Sequence, residues 1–388
     1  MEDIRIERLC AIALGKIFGY EPLYITGLIG KLGSAAAVFD LSTEEIDELL
    51  GPGSKYRGMV VSSVLRDAED ELDMLEKRGY GYIASTEAAF PQALKECQDC
   101  PAGLYYRGSS PPESIFSDGP AIAVVGTRDV SPYGREWTRK IVDACSQAPV
   151  KPAIISGLAF GVDINAHLTA LDRGLRTIAV LPCGIDEIYP AAHRKIAERI
   201  SSTEGCAVVS DYPPGTSPVA FTFLRRNRII AGLAQSTVLI ESKAKGGGLI
   251  TCRLAEGYGR QVFALPGRVD DLRSAGCNAL IREGVAEAIT GLSGLGEQLG
   301  LGRYMLRKKT DLISRLNTCY AARLDTADLN QICKIADLIR SERGIDLEEL
   351  CVRSGLPYNE VARSATMLES DAFICIDLMG RCTINERK

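Results

Sequence analysis

The sequence has few of the features that mark a membrane protein, a secreted scaffold or a metal enzyme. It holds two histidines in 388 residues, His167 and His193, so a histidine-based metal hydrolase is not expected. No apolar stretch approaches the ~20 residues of a membrane span, and the charged start MEDIRIERLCAIALG is unlike a signal peptide. The thirteen cysteines are scattered singly except for Cys97 and Cys100, unlike a dense disulfide framework. We expect a cytoplasmic protein with reduced thiols and no membrane partner.

Two nucleotide-binding fingerprints are also missing. After Gly126 the next glycine is Gly134, so there is no G-x-G-x-x-G, and no P-loop occurs anywhere. The formal net charge of -5 argues against a uniformly basic nucleic-acid surface but allows a local basic site. Cys97-x-x-Cys100 could form half a zinc site or a redox pair, yet no second pair or nearby histidine completes it. We therefore predict no cofactor and no metal.

The first 80 residues indicate a small helical module. Segments such as RLCAIALGKIF and STEEIDELLG follow one another with Gly and Ser between them, and Ser42 with Glu45 forms an S-x-x-E capping box. The turn from Gly30 to Gly33 is partly similar to a helix-hairpin-helix. Residues 1–80 are thus predicted to form an N-terminal module that is SAM/helix-hairpin-helix-like, or a plain helical packing module.

Residues 81–300 change to short apolar runs that alternate with amphipathic stretches. AIAVVG, PAIISG, TIAVLP, CAVVSD, STVLIES and QVFALPG are each separated from the next by a helix-like segment. Strands that are continuously apolar are covered on both faces. This part is therefore predicted to be an α/β domain with a parallel sheet flanked by helices.

The last part of the chain predicts a linker and a second domain. Residues 301–322 contain the basic patch RYMLRKKT, and residues 323–388 offer three helices and a hairpin turning at Met379–Gly380, which is typical of a winged helix. Its recognition helix would carry Arg363 with Glu360 and Glu369. This charge is weak for reading a DNA groove, so duplex binding, a protein contact and a vestigial role all stay open.

Ligands of such sheets bind beyond the carboxyl ends of the strands, where helix N-termini favour negative charge. Here those ends combine glycines, small polar residues and cations, which predicts a site for a phosphate-bearing ligand. Phe221 and Phe223 lie beside the cations and would suit base stacking on single-stranded nucleic acid, although Phe223 could also be a core residue. The strand-end residues are Gly126, Thr127, Arg128, Ser156, Gly157, Phe223, Arg225, Arg226, Asn227, Arg228, Lys243, Lys245, Gly246, Gly247, Gly248 and Thr251.

A catalytic set is harder to assemble from these residues. Asp163 and His167 lie four apart on one helix and could pair as acid and base, but such a pair more often caps a helix or orders a loop. Cys183 and Cys252 lie near the site, and burial as small apolar side chains is their commoner role. We predict no catalytic residue.

The motifs together resemble the family of DNA-processing protein A, also called Smf. The matching segments, in family order, are VVGTR (124–128), ISGLAFGVDINAH (155–167), VLPCGIDEIYP (180–190), PPGTSP (213–218), RNRIIAGL (226–233), GGGLIT (246–251), GRQVFALPG (259–267) and GCNALIREG (276–284).

This resemblance implies an extended Rossmann-like domain that binds single-stranded DNA, forms a homodimer and loads the RecA recombinase during natural transformation. In the family pattern Arg128 would clamp a backbone phosphate. Residues matching its pocket floor are Gly126, Ser156 and Gly157, those matching its wall are Arg226, Asn227 and Arg228, and those matching its donors are Gly248 and Thr251.

The sequence departs from the family pattern at four positions, Phe160, His193, Leu224 and Gly247. Phe160 replaces a residue that is commonly basic, which removes one phosphate contact that Lys243 and Lys245 could restore. The alternative hypothesis is an enzyme, a Rossmann-like nucleotide hydrolase or phosphoribohydrolase of the lysine-decarboxylase-like type. Those enzymes typically carry PGGxGTxxE, whereas KGGGLITCRLAE lacks the matching Thr and Glu spacing.

Overall fold

The computed structural model describes residues 2–19, 21–117, 119–302, 312–321, 323–342, 344–377 and 380–385. The chain divides into two compact units, Met1–Met305 and Leu306–Lys388. The basic patch RYMLRKKT of the predicted linker, residues 303–310, lies outside the described residues, as does Met379 of the predicted hairpin turn. Within the described ranges, no helix has both the length and the apolar character that crossing a membrane requires.

Five helices begin the first unit: α1 (Glu2–Phe18), α2 (Pro22–Leu32), α3 (Ala36–Phe39), α4 (Thr43–Leu50) and α5 (Ser63–Lys77). The capping box at α4 is confirmed, because the Glu45 amide donates to Ser42 Oγ (3.2 Å) and the Ser42 amide donates to the Glu45 carboxylate (2.8 Å). Apolar residues of these helices, such as Leu14 and Leu72, share one buried cluster with Tyr82 and Tyr105 of the neighbouring sheet. Their kinship with a SAM or helix-hairpin-helix module stays a prediction.

A nine-stranded sheet forms the centre of the first unit. Its strands are β1 (Gly81–Ala84), β2 (Gly103–Arg107), β3 (Ala121–Val125), β4 (Ala153–Ser156), β5 (Thr177–Val180), β6 (Ala207–Ser210), β7 (Ser236–Leu239), β8 (Gln261–Ala264) and β9 (Glu287–Ala288), in the order β1-β2-β6-β5-β4-β3-β7-β8-β9. All neighbours pair in parallel except β1 with β2 and β2 with β6. The predicted α/β fold with a mostly parallel sheet is therefore confirmed.

Helices cover both faces of this sheet, which is why its central strands are apolar throughout. They are α6 (Gln92–Lys95), α7 (Pro112–Ile115), α8 (Pro132–Gln147), α9 (Val162–Asp172), α10 (Arg194–Ser202), α11 (Ala220–Leu233), α12 (Gly247–Gly257), α13 (Ala275–Arg282) and α14 (Leu295–Gln298). One core holds Ile229 of α11 and Cys252 of α12, and another holds Ile141 of α8 and Val162 of α9.

The direction of strand order changes at β3. From β3 the chain proceeds through β4, β5 and β6 on one side, and β7 then returns to the other side of β3, followed by β8 and β9. The loops after β3 and β7 therefore lead to opposite faces of the sheet and leave a crevice between them. This position is where an open parallel sheet binds its ligand.

The second unit contains α15 (Leu312–Tyr320), α16 (Thr326–Ser341), β10 (Ile345–Asp346), α17 (Leu347–Ser354), α18 (Tyr358–Ser370), β11 (Ile374–Ile376) and β12 (Arg381–Ile384). The three strands pair antiparallel in the order β10-β12-β11. Its core includes Leu316, Tyr320, Ile335, Leu350 and Val361. The order of helices and strands is the one that the winged-helix prediction expects, and the assignment itself stays a prediction.

Candidate nucleic-acid interface

Two glycines bring the loops after β3 and β7 together at the crevice. A Cβ on Gly126 would lie 2.6 Å from Val162 Cγ2 and 3.0 Å from the Glu241 carbonyl oxygen. A Cβ on Gly248 would lie 2.7 Å from Leu239 Cδ1 and 3.4 Å from the Gly126 Cα. Larger side chains would push these loops apart. The glycines therefore bring the start of α12 against the end of β3.

A shallow cleft opens beside this crevice, over the carboxyl ends of β3, β4 and β5. The Arg128 guanidinium lies over the Phe223 ring, 5.0 Å from its centroid. Phe223 in turn contacts Tyr189 edge to face, with the ring centroids 5.2 Å apart. The cleft is lined by Arg128, Gly157, Ala159, Phe160, Tyr189, Pro190 and Phe223.

The cleft offers one cation and several ring surfaces. Arg128 is exposed, and among the described residues no carboxylate lies within ion-pair distance of its guanidinium. Phe160 is 48% exposed and Tyr189 is 37% exposed, and Phe160 also packs edge to face on the His193 imidazole at 4.6 Å. A cation beside accessible rings matches the chemistry that binds a phosphate and an unpaired base together.

Lys243 and Lys245 supply further positive charge on the loop that follows β7. Both side chains are exposed, and this loop leads directly into the N-terminus of α12. The loop is fixed to its neighbour, since the Ser242 amide donates to the Arg273 carbonyl (2.8 Å). Arg273 in turn pairs with Asp129 at 3.3 Å, next to Arg128. The predicted lysines and Arg128 therefore lie on the same edge of the sheet, with the exposed Gly247 beside them.

Two predicted site residues, Ser156 and Thr251, are buried away from a ligand. The Ser156 hydroxyl is fully buried and donates to the Val124 carbonyl at 2.6 Å. Thr251 lies inside α12 with 2% of its surface exposed. The burial of Ser156 and Thr251 corrects the expectation that they line an open pocket. Thr127 is half-buried, and its amide donates to the Glu241 carbonyl at 2.8 Å.

The three arginines of α11 differ in burial. Arg226 and Arg228 are 4% and 6% exposed, and Asn227 is 9% exposed. Arg225 is half-buried, with its guanidinium 5.9 Å from the centroid of Phe221. The side chains of Arg226, Asn227 and Arg228, predicted to form a wall of the site, therefore lie beneath the surface. In this structure Arg226 and Arg228 are too buried to contact a ligand directly.

The two buried arginines have different partners. Arg226 donates to the carbonyls of Gly157 (2.7 Å) and Val180, and burial lowers its pKa. Arg228 forms an ion pair with Asp211 and donates to the Asp99 carbonyl. Although burial opposes its charge, the two aspartates raise the pKa of Arg228 above its ordinary value. Both guanidiniums are structural in this fold.

The hypothetical acid–base pair does not form. Asp163 accepts a hydrogen bond from the Gly157 amide (3.1 Å), and burial raises the pKa of this carboxyl. His167 Nδ1 lies 2.7 Å from Thr177 Oγ1, and burial lowers its pKa to about 3. Asp163 therefore orders the loop after β4, and His167 is a neutral core residue at pH 7.

The cysteines near the site are buried thiols. Burial raises the pKa of Cys183 to about 12 and that of Cys252 further above its ordinary value. Cys97 and Cys100 are also buried, with pKa values raised to about 11 and 12. In the part of the chain that the structure describes, no group of three His, Cys, Asp or Glu side chains could hold a metal.

Sequence reasoning missed two contributions to the site. Tyr189 lines the cleft, and the signal for it was its position in the loop after the apolar run of β5. Glu241 is 1% exposed and accepts hydrogen bonds from the amide (2.9 Å) and the hydroxyl of Ser131. Ser131 in turn caps α8 at Gly134. Glu241 thus ties the loop after β7 to the start of α8, which no local pattern predicts.

Comparison with known proteins identifies the family of this chain. The model of the family described as "DNA recombination-mediator protein A" matches residues 81–300. The DNA processing protein DprA of Streptococcus pneumoniae is 39% identical over 208 residues, which cover 54% of this chain and 71% of that protein. Protein Smf of Synechocystis is 38% identical over 231 residues, covering 59% of this chain and 56% of that protein.

Solved structures show the same fold. The crystal structure of DNA processing protein A from Streptococcus pneumoniae matches with a TM-score of 0.59 and 32% identity, covering 71% of this chain and 92% of that one. A structure of DNA processing protein A from Helicobacter pylori, solved to describe its single-stranded DNA binding mode, matches with a TM-score of 0.50 and 30% identity, covering 57% and 96%. With the family model matching residues 81–300 of 388, the chain belongs to the DNA recombination-mediator protein A family of DNA-processing proteins.

Proposed function

We propose that this protein binds single-stranded DNA at the carboxyl edge of its sheet. The cleft of Arg128, Phe223 and Tyr189 receives one backbone phosphate and an unpaired base, and Lys243 and Lys245 attract the continuing strand. As a homodimer in the cytoplasm, the protein protects incoming strands and loads RecA recombinase onto them during natural transformation and recombination.

The observation that carries the binding proposal is the Arg128–Phe223 contact, with centroid and guanidinium 5.0 Å apart. A guanidinium without a carboxylate partner among the described residues keeps its charge available for phosphate. A ring face beside it can stack on a base only when that base is unpaired. The Helicobacter pylori relative, whose structure concerns single-stranded DNA binding, supports the same choice of ligand.

The recombinase part of the proposal is supported by the family description, a recombination mediator. A protein that covers a strand through separate phosphate and base contacts can release it stepwise to a partner that binds the same strand.

We further propose that the protein binds without turnover. Asp163 and His167 lie beneath the cleft, and their hydrogen bonds go to the Gly157 amide and to Thr177. Neither group therefore offers a proton to a ligand in the cleft. This supports a binding protein over the nucleotide hydrolase alternative.

Fluorescence anisotropy with a labelled oligo-dT strand and a duplex of equal length tests the proposal across a salt titration. The wild type is expected to prefer the single strand. Arg128→Ala is expected to raise Kd about tenfold and to flatten the salt slope by about 0.7, the value of one lost phosphate contact on a single strand. Arg66→Ala removes an exposed charge on α5 and serves as the matched control with wild-type affinity.

Three results would contradict the proposal in different ways. Wild-type affinity of Arg128→Ala would place the DNA elsewhere, and duplex preference unaffected by that variant would direct attention to the C-terminal unit. Release of base or phosphate from nucleoside monophosphates would favour the enzyme alternative.

A further inference from the structure

Arg226 joins the three elements that carry the rings of the cleft. Its Nη1 atom donates to the Gly157 carbonyl at the end of β4 and to the Val180 carbonyl at the end of β5. Arg226 itself lies on α11, three residues after Phe223. One buried nitrogen thus links two parallel strand ends to a helix that packs across them.

Each of those elements contributes one aromatic side chain. The loop after Gly157 carries Phe160, the segment after Val180 carries Tyr189, and α11 carries Phe223. The sheet ladder ends before the rings of both loops: β4 ends at Ser156, and the ladder of β5 extends only to the Leu181 amide, which donates to the Val209 carbonyl (2.8 Å). The spacing of Phe160 and Tyr189 therefore depends on contacts outside the ladder.

Both backbone polar groups of Gly157 form hydrogen bonds to side chains. Its carbonyl accepts from Arg226 (2.7 Å) and its amide donates to Asp163 (3.1 Å). The following residue, Leu158, has a φ of 56° and its carbonyl lies 2.7 Å from His193 Nδ1. A loop with a left-handed non-glycine residue requires such support to persist.

Burying the charge of Arg226 costs stability, which indicates that this residue has a role other than stabilising the fold. Among the described residues no carboxylate lies within ion-pair distance of it, and its Nε atom is buried without a hydrogen-bond partner. The buried Asp163 carboxylate attracts this charge without forming an ion pair, and burial still lowers the pKa of Arg226. The buried guanidinium therefore carries a cost in stability. A leucine or methionine would pack α11 on the sheet without that cost.

We propose that Arg226 is a positioning residue for single-stranded DNA, one that sets the spacing of Phe160, Tyr189 and Phe223 without touching the nucleic acid. This inference rests on the proposed function of the cleft. It predicts that loss of Arg226 weakens base stacking while the number of phosphate contacts stays the same.

The test compares Arg226→Met with Arg128→Ala in the full chain, using anisotropy with oligo-dT across a salt titration. Arg226→Met is expected to raise Kd about tenfold, the equivalent of one positioning hydrogen bond, with an unchanged salt slope. Quenching of a 2-aminopurine oligonucleotide on binding is expected to fall in the same variant. Arg226→Lys keeps a cationic donor for one of the two carbonyls and is expected to recover part of the affinity.

The matched control is a buried arginine of the same helix. Arg228→Met combined with Asp211→Asn removes the other buried guanidinium and its partner together, which limits the loss of stability. This double variant is expected to bind oligo-dT like the wild type. Thermal melting of all variants before titration identifies any that do not fold.

Hydrogen exchange on the DNA-free protein separates this inference from the proposed function. Peptides covering residues 157–161 and 181–190 are expected to exchange at least several-fold faster in Arg226→Met than in the wild type or the control variant. Unchanged exchange there, or a salt slope reduced as in Arg128→Ala, overturns the positioning role. If the wild type binds no single strand, the proposed function fails while the exchange result still decides whether Arg226 holds the loops.

Discussion

The Arg128 guanidinium lies over the ring of Phe223, although the two residues are almost 100 positions apart in the chain. Arg128 follows β3, whereas Phe223 lies in the first turns of α11, and the guanidinium carbon is 5.0 Å from the ring centroid. The contact holds the cation beside the ring while leaving its hydrogen-bond donors for a ligand. One residue thus provides charge and the other orients it.

Replacing Phe223 with leucine is expected to weaken single-strand binding by about tenfold, since stacking of one base on a ring contributes roughly 1–3 kcal/mol. The salt slope should stay at its wild-type value because no phosphate contact is removed. Anisotropy with oligo-dT at two or more salt concentrations measures both quantities.

The protein contains a comparable cation–ring pair on another edge of the sheet. Arg107 lies 4.9 Å from the centroid of Tyr80, beside the edge strand β1. Tyr80→Leu therefore removes the same kind of contact away from the cleft and should leave Kd unchanged. Equal losses in the two variants would mean that Phe223 acts through stability alone.

The buried pair of Arg228 with Asp211 predicts a loss of stability without a change in the binding site. Arg228→Met leaves the Asp211 carboxylate buried, 3% exposed and unpaired, which is expected to lower the free energy of unfolding by about 3–5 kcal/mol. Urea unfolding should show this loss, and addition of Asp211→Asn should restore most of it. A stable single variant that loses DNA affinity would instead return Arg228 to the interface.

The sequence predicted the sheet better than it predicted the site. The run AIAVVG predicted β3, because a continuously apolar strand is typical of a sheet covered on both faces. The Ser42–Glu45 capping box was predictable because its residues are close in the chain. Glycines and cations at strand ends also indicated the edge of the sheet at which Arg128, Lys243 and Lys245 are exposed. These features depend on local pattern and on general rules of sheet topology.

The orientation of individual side chains depends on distant partners and could not be predicted. Arg226 and Arg228 are buried because a carbonyl at Gly157 and a carboxylate at Asp211 meet them, and both partners come from other parts of the chain. When these distant partners are not known, an arginine is expected at the surface. For the same reason Tyr189 was not recognised as part of the cleft.

Two neighbouring glycines at the start of α12 are expected to respond differently to alanine. A Cβ on Gly247 would meet nothing within 4 Å, whereas one on Gly248 would lie 2.7 Å from Leu239 Cδ1. Gly247→Ala should stabilise the protein by up to about 1 kcal/mol, since alanine favours the helix. Gly248→Ala should destabilise it by about 1–3 kcal/mol through overpacking. Urea unfolding of the two variants measures the difference, and equal stabilities would show that the crevice can widen.

Protonation of His167 is expected to make the protein less stable as pH falls. Burial lowers the pKa of this imidazole from 6.5 to about 3, so the unfolded chain takes up a proton between these values that the folded protein does not. The contribution of neutral His167 to the free energy of unfolding is therefore fully present above pH 6.5 and is lost progressively as pH falls towards 3. Between pH 7 and pH 5 the loss amounts to about 2 kcal/mol.

His167→Gln isolates this effect, because glutamine can still bond to Thr177 but does not titrate. Urea unfolding of wild type and variant at pH 7 and pH 5 gives the two differences, and carboxylates that titrate in the same range cancel between them. The wild type should lose about 2 kcal/mol more than the variant over this interval. Equal losses would mean that His167 takes up its proton in the folded state, and the orphaned Nε2 atom would then have a partner in the protonated protein.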